Sequence, residues 1–152
     1  MKSSTTVDTI WSLQHTEESP LLAAAVHDGH AVRDEVAKYL ALDEAERLRE
    51  EDPFTREWTE VAPNRVIGLR SRFEIDLNRP RETAVYRVPE DAWGLQVWRE
   101  EPPQALFDRS LEEYDAFYRA MQRLLDQTRE RFGRFVIFDL HSYNHRRAGP
   151  DG

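Results

Sequence analysis

A chain of 152 residues, 39% hydrophobic and 33% charged, has the size and balance of one soluble globular domain with its own core. The absence of cysteine excludes disulfides and thiolate metal sites and points to a reducing, cytoplasmic setting, while 29 acidic against 21 basic residues give a net charge of -8, without the basic balance that nucleic-acid binding requires. No apolar run approaches the roughly 18–20 residues of a membrane span, and residues 1–8 lack the apolar centre of a signal peptide.

In chain order, residues 1–19 read as a flexible lead segment. Residues 21–26 (LLAAAV) form a continuous apolar run, the pattern of a buried strand, which stops at the polar break His27-Asp28-Gly29-His30. Helical spacing of Val32, Val36, Tyr39, Leu40 and Leu48 predicts helices over about 31–40 and 43–51, ended by Pro53. A second strand is expected at 64–69 (NRVIGL) and a third, alternating one at 72–77 (RFEIDL), closed by Asn78-Arg79-Pro80. Residues 80–103, rich in proline and tryptophan, read as a loop with short strands. Ser110 and Glu113 match a capping box, and the apolar stripe Leu111, Tyr114, Phe117, Tyr118, Met121, Leu124, Leu125 and Phe132 predicts a long helix capped by Gly133. The run 135–140 (FVIFDL) predicts a second fully buried strand that ends at His141-Ser142.

These elements predict an α/β fold, a mostly parallel mixed sheet flanked by helices, within one domain over 1–152. Ligands of such sheets gather beyond the carboxyl ends of the strands. His27, the Asn78-Arg79 pair and His141 each fall just after a predicted strand. With no thiolate available, a metal requires His, Asp or Glu, and three imidazoles (His27, His30 and His141) stand near strand ends; neutral imidazole suits Zn²⁺. Asp139, two positions before His141, is placed to accept a second imidazole N–H. A carboxylate ligand has several candidates in the Glu50-Glu51-Asp52 run, whereas His145 lies in a loop-like segment and is not taken as a ligand. Arg79 and Asn78 have the donor geometry for a carboxylate, and Arg72 is suited to polarising a carbonyl. Arg65, Arg70, Arg72, Arg79, Arg81 and Arg87 crowd into one central stretch, a candidate site for a small anion in an otherwise acidic chain.

The combination AVHDGH (25–30), EDP (51–53), SRFEIDLNRP (71–80) and DLHS (139–142) resembles the N-formylglutamate amidohydrolase family, which is related to zinc carboxypeptidases and aspartoacylases. The resemblance spans about residues 26–145. It implies a zinc carboxypeptidase-like fold and one Zn²⁺ per chain, with His27 and His141 as the histidine ligands. It favours Asp52 as the carboxylate ligand, with Glu51 and His30 as alternatives. It further implies that Asn78, Arg79 and Ser142 contact a small-molecule N-acyl amino acid and that Arg72 polarises the scissile carbonyl. The expected reaction is hydrolysis of an N-formyl-L-glutamate-like amide to formate and L-glutamate. A carboxypeptidase-like metallopeptidase and a non-catalytic metal- or metabolite-binding chain are the alternatives. The general base of the wider group follows the His-Ser segment at a distance, so the resemblance implies a chain incomplete at its C-terminus, with the base beyond Gly152.

Overall fold

The computed structural model describes the backbone of residues 3–7 and the whole of residues 10–150. Its centre is LLAAAV, where β3 (Leu21–Ala25) runs between β4 (Asn64–Gly68) and β5 (Val136–Asp139), parallel to both. On the far side of β4, β2 (Trp11–Thr16) pairs antiparallel and is followed by β1 (Ser3–Val7), giving the order β1-β2-β4-β3-β5. The sheet is therefore mixed, with two parallel and two antiparallel pairings. Residues 1–19, expected to be a flexible lead segment, instead supply both antiparallel strands. Trp11 explains the difference: it is 7% exposed and packs edge-on against Phe117 at 6.4 Å.

Small side chains in β3 let neighbouring backbones approach closely. A Cβ added at Gly68 would lie 2.2 Å from the Val26 carbonyl oxygen, and one at Gly29 would lie 2.3 Å from the Leu69 carbonyl carbon. These two glycines seat the HDGH turn directly on the end of β4.

The helices depart from expectation at their ends. The helix expected over 31–40 is a single turn, α1 (Asp34–Ala37), because Ala31 pairs with Arg70 and Leu40 with Trp98 in isolated strand-like bridges. The expected 43–51 helix is α2 (Glu44–Glu50), opened by a capping box between Asp43 and Glu46. A short α3 (Thr55–Trp58) packs on β3. The long helix α4 (Gln104–Phe132) starts six residues before Ser110, directly after Pro103. Ser110 is thus an interior residue whose hydroxyl donates to the Leu106 carbonyl and accepts from Arg33. Gly133 caps the helix with φ of 73°, as expected.

Residues 72–77, expected to be a strand, form a turn and an irregular buried stretch. Alternation failed as a guide because both sets of positions are inside: Phe73, Ile75 and Leu77 in the core, Glu74 and Asp76 in polar networks. The Ser71 carbonyl accepts from the amides of Glu74 and Ile75, which curls the chain. The loop over 80–103 contains 3₁₀ turns at Arg81–Thr83 and Pro89–Ala92 where short strands were expected. β5, expected to be fully buried, is also corrected: Val136, Ile137 and Phe138 are 40–47% exposed along the sheet edge.

Arg33 ties the segment after HDGH to α4. Its amide donates to Glu74, and its guanidinium donates to Ser110, the Leu106 carbonyl and Glu113. Among the described residues, no helix is long and apolar enough to cross a membrane. The close backbone approach predicts that Gly68→Ala destabilises the protein by about 1–3 kcal/mol through overpacking. Denaturant unfolding measures it directly, and an unchanged midpoint would contradict the fit of β4 on β3.

Candidate metal centre

Two residues beyond β3, His27 is 2% exposed and held from one side by a carboxylate that the sequence reading did not single out. Its Nε2 lies 2.6 Å from Oδ1 of Asp76, whose other oxygen accepts from Arg72 at 3.0 Å and from the Tyr86 hydroxyl. The Asn78 amide also donates to Asp76, at 2.8 Å. Burial alone would raise the Asp76 pKa, but the hydrogen bond and charge of His27, with Arg72 and Tyr86, hold it well below the ordinary carboxylate range. Tyr86 moves the other way: burial first, then the Asp76 charge, raises its hydroxyl above the ordinary phenol value, so it stays a donor.

Asp76 holds the His27 ring in place through Nε2. The Nδ1 on the opposite side of the ring is fully buried and has no hydrogen-bond partner. It faces Asp52 Oδ2 at 3.6 Å. A buried, unpartnered imidazole nitrogen facing a carboxylate is a costly arrangement that a cation between them would relieve.

His141 approaches from the end of β5. Its ring lies 5.0 Å from that of His27, its Nδ1 is 2.9 Å from Asp52 Oδ2, and its Nε2 is 2.9 Å from Asp139 Oδ1. Asp139 therefore takes the orienting position expected of it. Hydrogen bonds to Asp139 and then Asp52 raise the His141 pKa to about 9 against the opposing effect of burial. For Asp52, burial is the largest influence and raises the pKa, but His141 and His27 together outweigh it and bring it to about 2. Ligand atoms of His27, Asp52 and His141 all lie within 4.8 Å of one another. Two imidazoles and a carboxylate form a donor set suited to a divalent ion of the zinc type.

The two alternative ligands lie elsewhere. Glu51 accepts from Ser71, sits 2.5 Å from His30 Nδ1 and is 3.5 Å from Arg47. Arg47 closes that network by donating to the His30 carbonyl. Asn78 is exposed beside Asp76. Arg79 lies over the Tyr86 ring at 4.4 Å and donates to the Asp91 carbonyl at 2.7 Å, with Nε 3.6 Å from Asp76. Ser142, half-buried, follows His141 directly.

Arg72 is held firmly in the wall of the site. Its three nitrogens donate to Tyr86, the Glu50 carbonyl and Asp76 at 2.9–3.1 Å, so the guanidinium is built into the wall. The central arginines do not converge on an anion site: Arg65 turns to Thr59, Arg81 pairs with Asp115, and Arg87 lies over Phe107. Asp76 carried a signal in the sequence, a lone aspartate between Ile75 and Leu77 just before Asn78-Arg79. Tyr86 carried none.

Proton linkage gives the first test of this centre. Because the folded pKa of His141 lies above its ordinary 6.5, its ion pairs contribute fully below pH 6.5, and the contribution is lost as pH rises through about 9. The stability gap between metal-free wild type and His141→Gln, followed by urea unfolding across pH, is expected to narrow over that window. A gap that widens there would refute the assigned contacts. Asp76→Asn is expected to cost more than 3 kcal/mol in the metal-free protein, since Arg72 loses a buried anionic partner; calorimetry would read this as a lower Tm.

The chain matches the N-formylglutamate amidohydrolase family over residues 19–152, a span that includes all three residues of the centre and Asp76. Its fold is similar to the crystal structure of N-formylglutamate amidohydrolase from Ralstonia eutropha JMP134, with a TM-score of 0.71 at 18% identity. The similarity covers 89% of this chain and 58% of that one, so the chain spans somewhat over half the length of this relative. No curated protein matches. The family match covers most of the sequence, and the chain belongs to the N-formylglutamate amidohydrolase family.

Proposed function

We propose that this chain carries the metal-binding half-site of a zinc-dependent amidohydrolase acting on an N-acyl amino acid of the N-formyl-L-glutamate kind. The observation that carries the reading is the orphaned Nδ1 of His27, buried and facing Asp52, with His141 closing the third side. His27 through Nδ1, Asp52 through its carboxylate and His141 through Nδ1 would hold the ion. Asp76 and Asp139 fix the two rings from behind. When bound, zinc would bring the pKa of a water down towards about 7 and polarise the amide carbonyl.

The chain's own residues would then position the substrate. Arg79, a quarter exposed, and exposed Asn78 sit on the same short segment as Asp76 and would receive the amino-acid carboxylate, with Ser142 next to His141 as a further polar contact. Arg72 holds Asp76 and Tyr86 through three of its five N–H groups, and the remaining terminal N–H groups would serve to polarise the carbonyl. Asp52, Asp76, Glu50 and Glu51 are each committed to histidine, arginine, amide or hydroxyl partners, so the proton acceptor that turnover needs is assigned to none of them. That commitment favours a second reading for these 152 residues taken alone, metal binding without turnover. The lack of cysteine supports a cytoplasmic place of action.

Zinc titration of ligand variants tests the reading. His27→Ala, Asp52→Ala and His141→Ala are each expected to weaken Zn²⁺ binding by at least a hundredfold, while His145→Ala leaves it near wild type. Affinity should also rise with pH as the His141 proton is released. Zinc bound equally well by the His27 and His141 variants would end the assignment. Formate release from N-formyl-L-glutamate by the zinc-loaded protein separates turnover from binding alone.

A further inference from the structure

The segment after β5 has few anchors. It leaves an exposed edge strand, carries His141 at its start and contains only turns, closed by amide bonds from Arg147 to Asn144 and from Gly149 to Arg146. Beyond His141 it is gripped by Glu50, the last residue of α2, which is 7% exposed. Its Oε1 accepts from Asn144 at 2.7 Å, and its Oε2 accepts from Arg147 Nε at 2.8 Å and Nη2 at 2.5 Å. Asn144 is used at both ends, because its Oδ1 also accepts the Arg146 amide at 3.0 Å.

The placement links two parts of the candidate centre. Glu50 stands two residues before Asp52; Asn144 and Arg147 stand three and six residues after His141. The clasp therefore joins the short segments that bear the Asp52 and His141 contact. Trp93 supports it from the side, with Arg147 over its ring at 4.0 Å and Arg72 at 4.8 Å. Trp93 holds a left-handed backbone with φ of 54°, a conformation that non-glycine residues rarely adopt. Arg72 donates to the Glu50 carbonyl and to Asp76, so the same guanidinium reaches the residue that fixes His27.

An exposed ion pair adds little to a fold. Glu50 is different, since a buried carboxylate with both oxygens taken by side chains of one turn holds that turn in a single place. We propose that Glu50 is a positioning residue: its clasp on Asn144 and Arg147 seats the segment following His141 and keeps the His141 ring on Asp52. The inference rests on the reading of His27, Asp52 and His141 as a metal centre, and it adds residues outside that group on which metal affinity depends.

The test compares wild type, Glu50→Ala, Arg147→Ala and the double variant by two measurements. One is Zn²⁺ affinity in competition with a chromophoric chelator. The other is the rate of tryptic cleavage after Arg146, without metal. Each single variant is expected to weaken zinc binding about tenfold and to speed cleavage several-fold, and the double variant to be no worse than either single, as for two halves of one contact. Glu50→Gln, which keeps an acceptor for Asn144, should recover part of both effects. Asn144→Ala replaces Glu50→Ala should the latter fail to fold. Wild-type affinity and cleavage in Glu50→Ala, or losses that multiply in the double variant, would overturn the proposal. A wild-type protein that binds no zinc would end the metal reading instead; cleavage alone then decides the clasp, and an unchanged rate overturns it.

Discussion

The carboxylate of Asp76 is the point on which the rest of the structure turns. It is fully buried, and it is shared by an imidazole, a guanidinium, a phenol and a backbone amide. An unpaired charge in that position would be costly by several kcal/mol, so each partner is held in place by the need to satisfy it. His27 gains a fixed ring orientation, Arg72 a fixed direction, and residues 76–79 a tight turn that presents Asn78 and Arg79. A single anionic group thus orients His27 of the candidate metal centre and the Asn78-Arg79 turn at once.

The centre is assembled from segments far apart in the chain, and the sheet makes that possible. β3 and β5 are parallel neighbours, so the residues after them, His27 and His141, emerge at the same end. Asp52 arrives on the loop after α2, fixed because its amide donates to the His27 carbonyl. The close seat of Gly29 and Gly68 on adjacent backbone keeps the HDGH turn low on the sheet. Function at such strand ends follows from topology: the strands fix where side chains emerge, and loops decide which ones.

What could be read from the sequence was whatever depended on local pattern. The apolar runs of β3 and β5, the strand NRVIGL and the Gly133 cap all carry their structure within a few residues. The failures come from tertiary partners that local pattern does not report: β5 is apolar yet lies on the exposed sheet edge, and elsewhere polar residues are buried. Residues 72–77 alternate like a strand, but Glu74 and Asp76 are inside because Arg33 and His27 come from elsewhere to meet them. Ser110 has the sequence of a helix cap and is an interior residue because Arg33 reaches it. The same limit applied to the candidate site. His27, His141 and Asp52 stood at legible strand and helix ends, whereas Tyr86, whose hydroxyl donates to Asp76, sat in a loop with nothing nearby to mark it.

β5 has one consequence for how the protein behaves in solution. The Val136 and Leu140 amides face β3, donating to Pro20 and Ala24, so by alternation the backbone groups of Ile137 and Asp139 point outward. Together with the half-exposed side chains of Val136, Ile137 and Phe138, they form a hydrogen-bonding row with apolar flanks that no other strand among the described residues pairs with. Such a row is a template for any extended peptide, and proteins usually blunt it with lysine, proline or a covering element. Here the opposing force is colloidal: a net charge of -8 keeps molecules apart at low ionic strength. Salt screens that repulsion within about 10 Å at 0.1 M and leaves the apolar edge attraction intact, so added salt favours contacts through this edge.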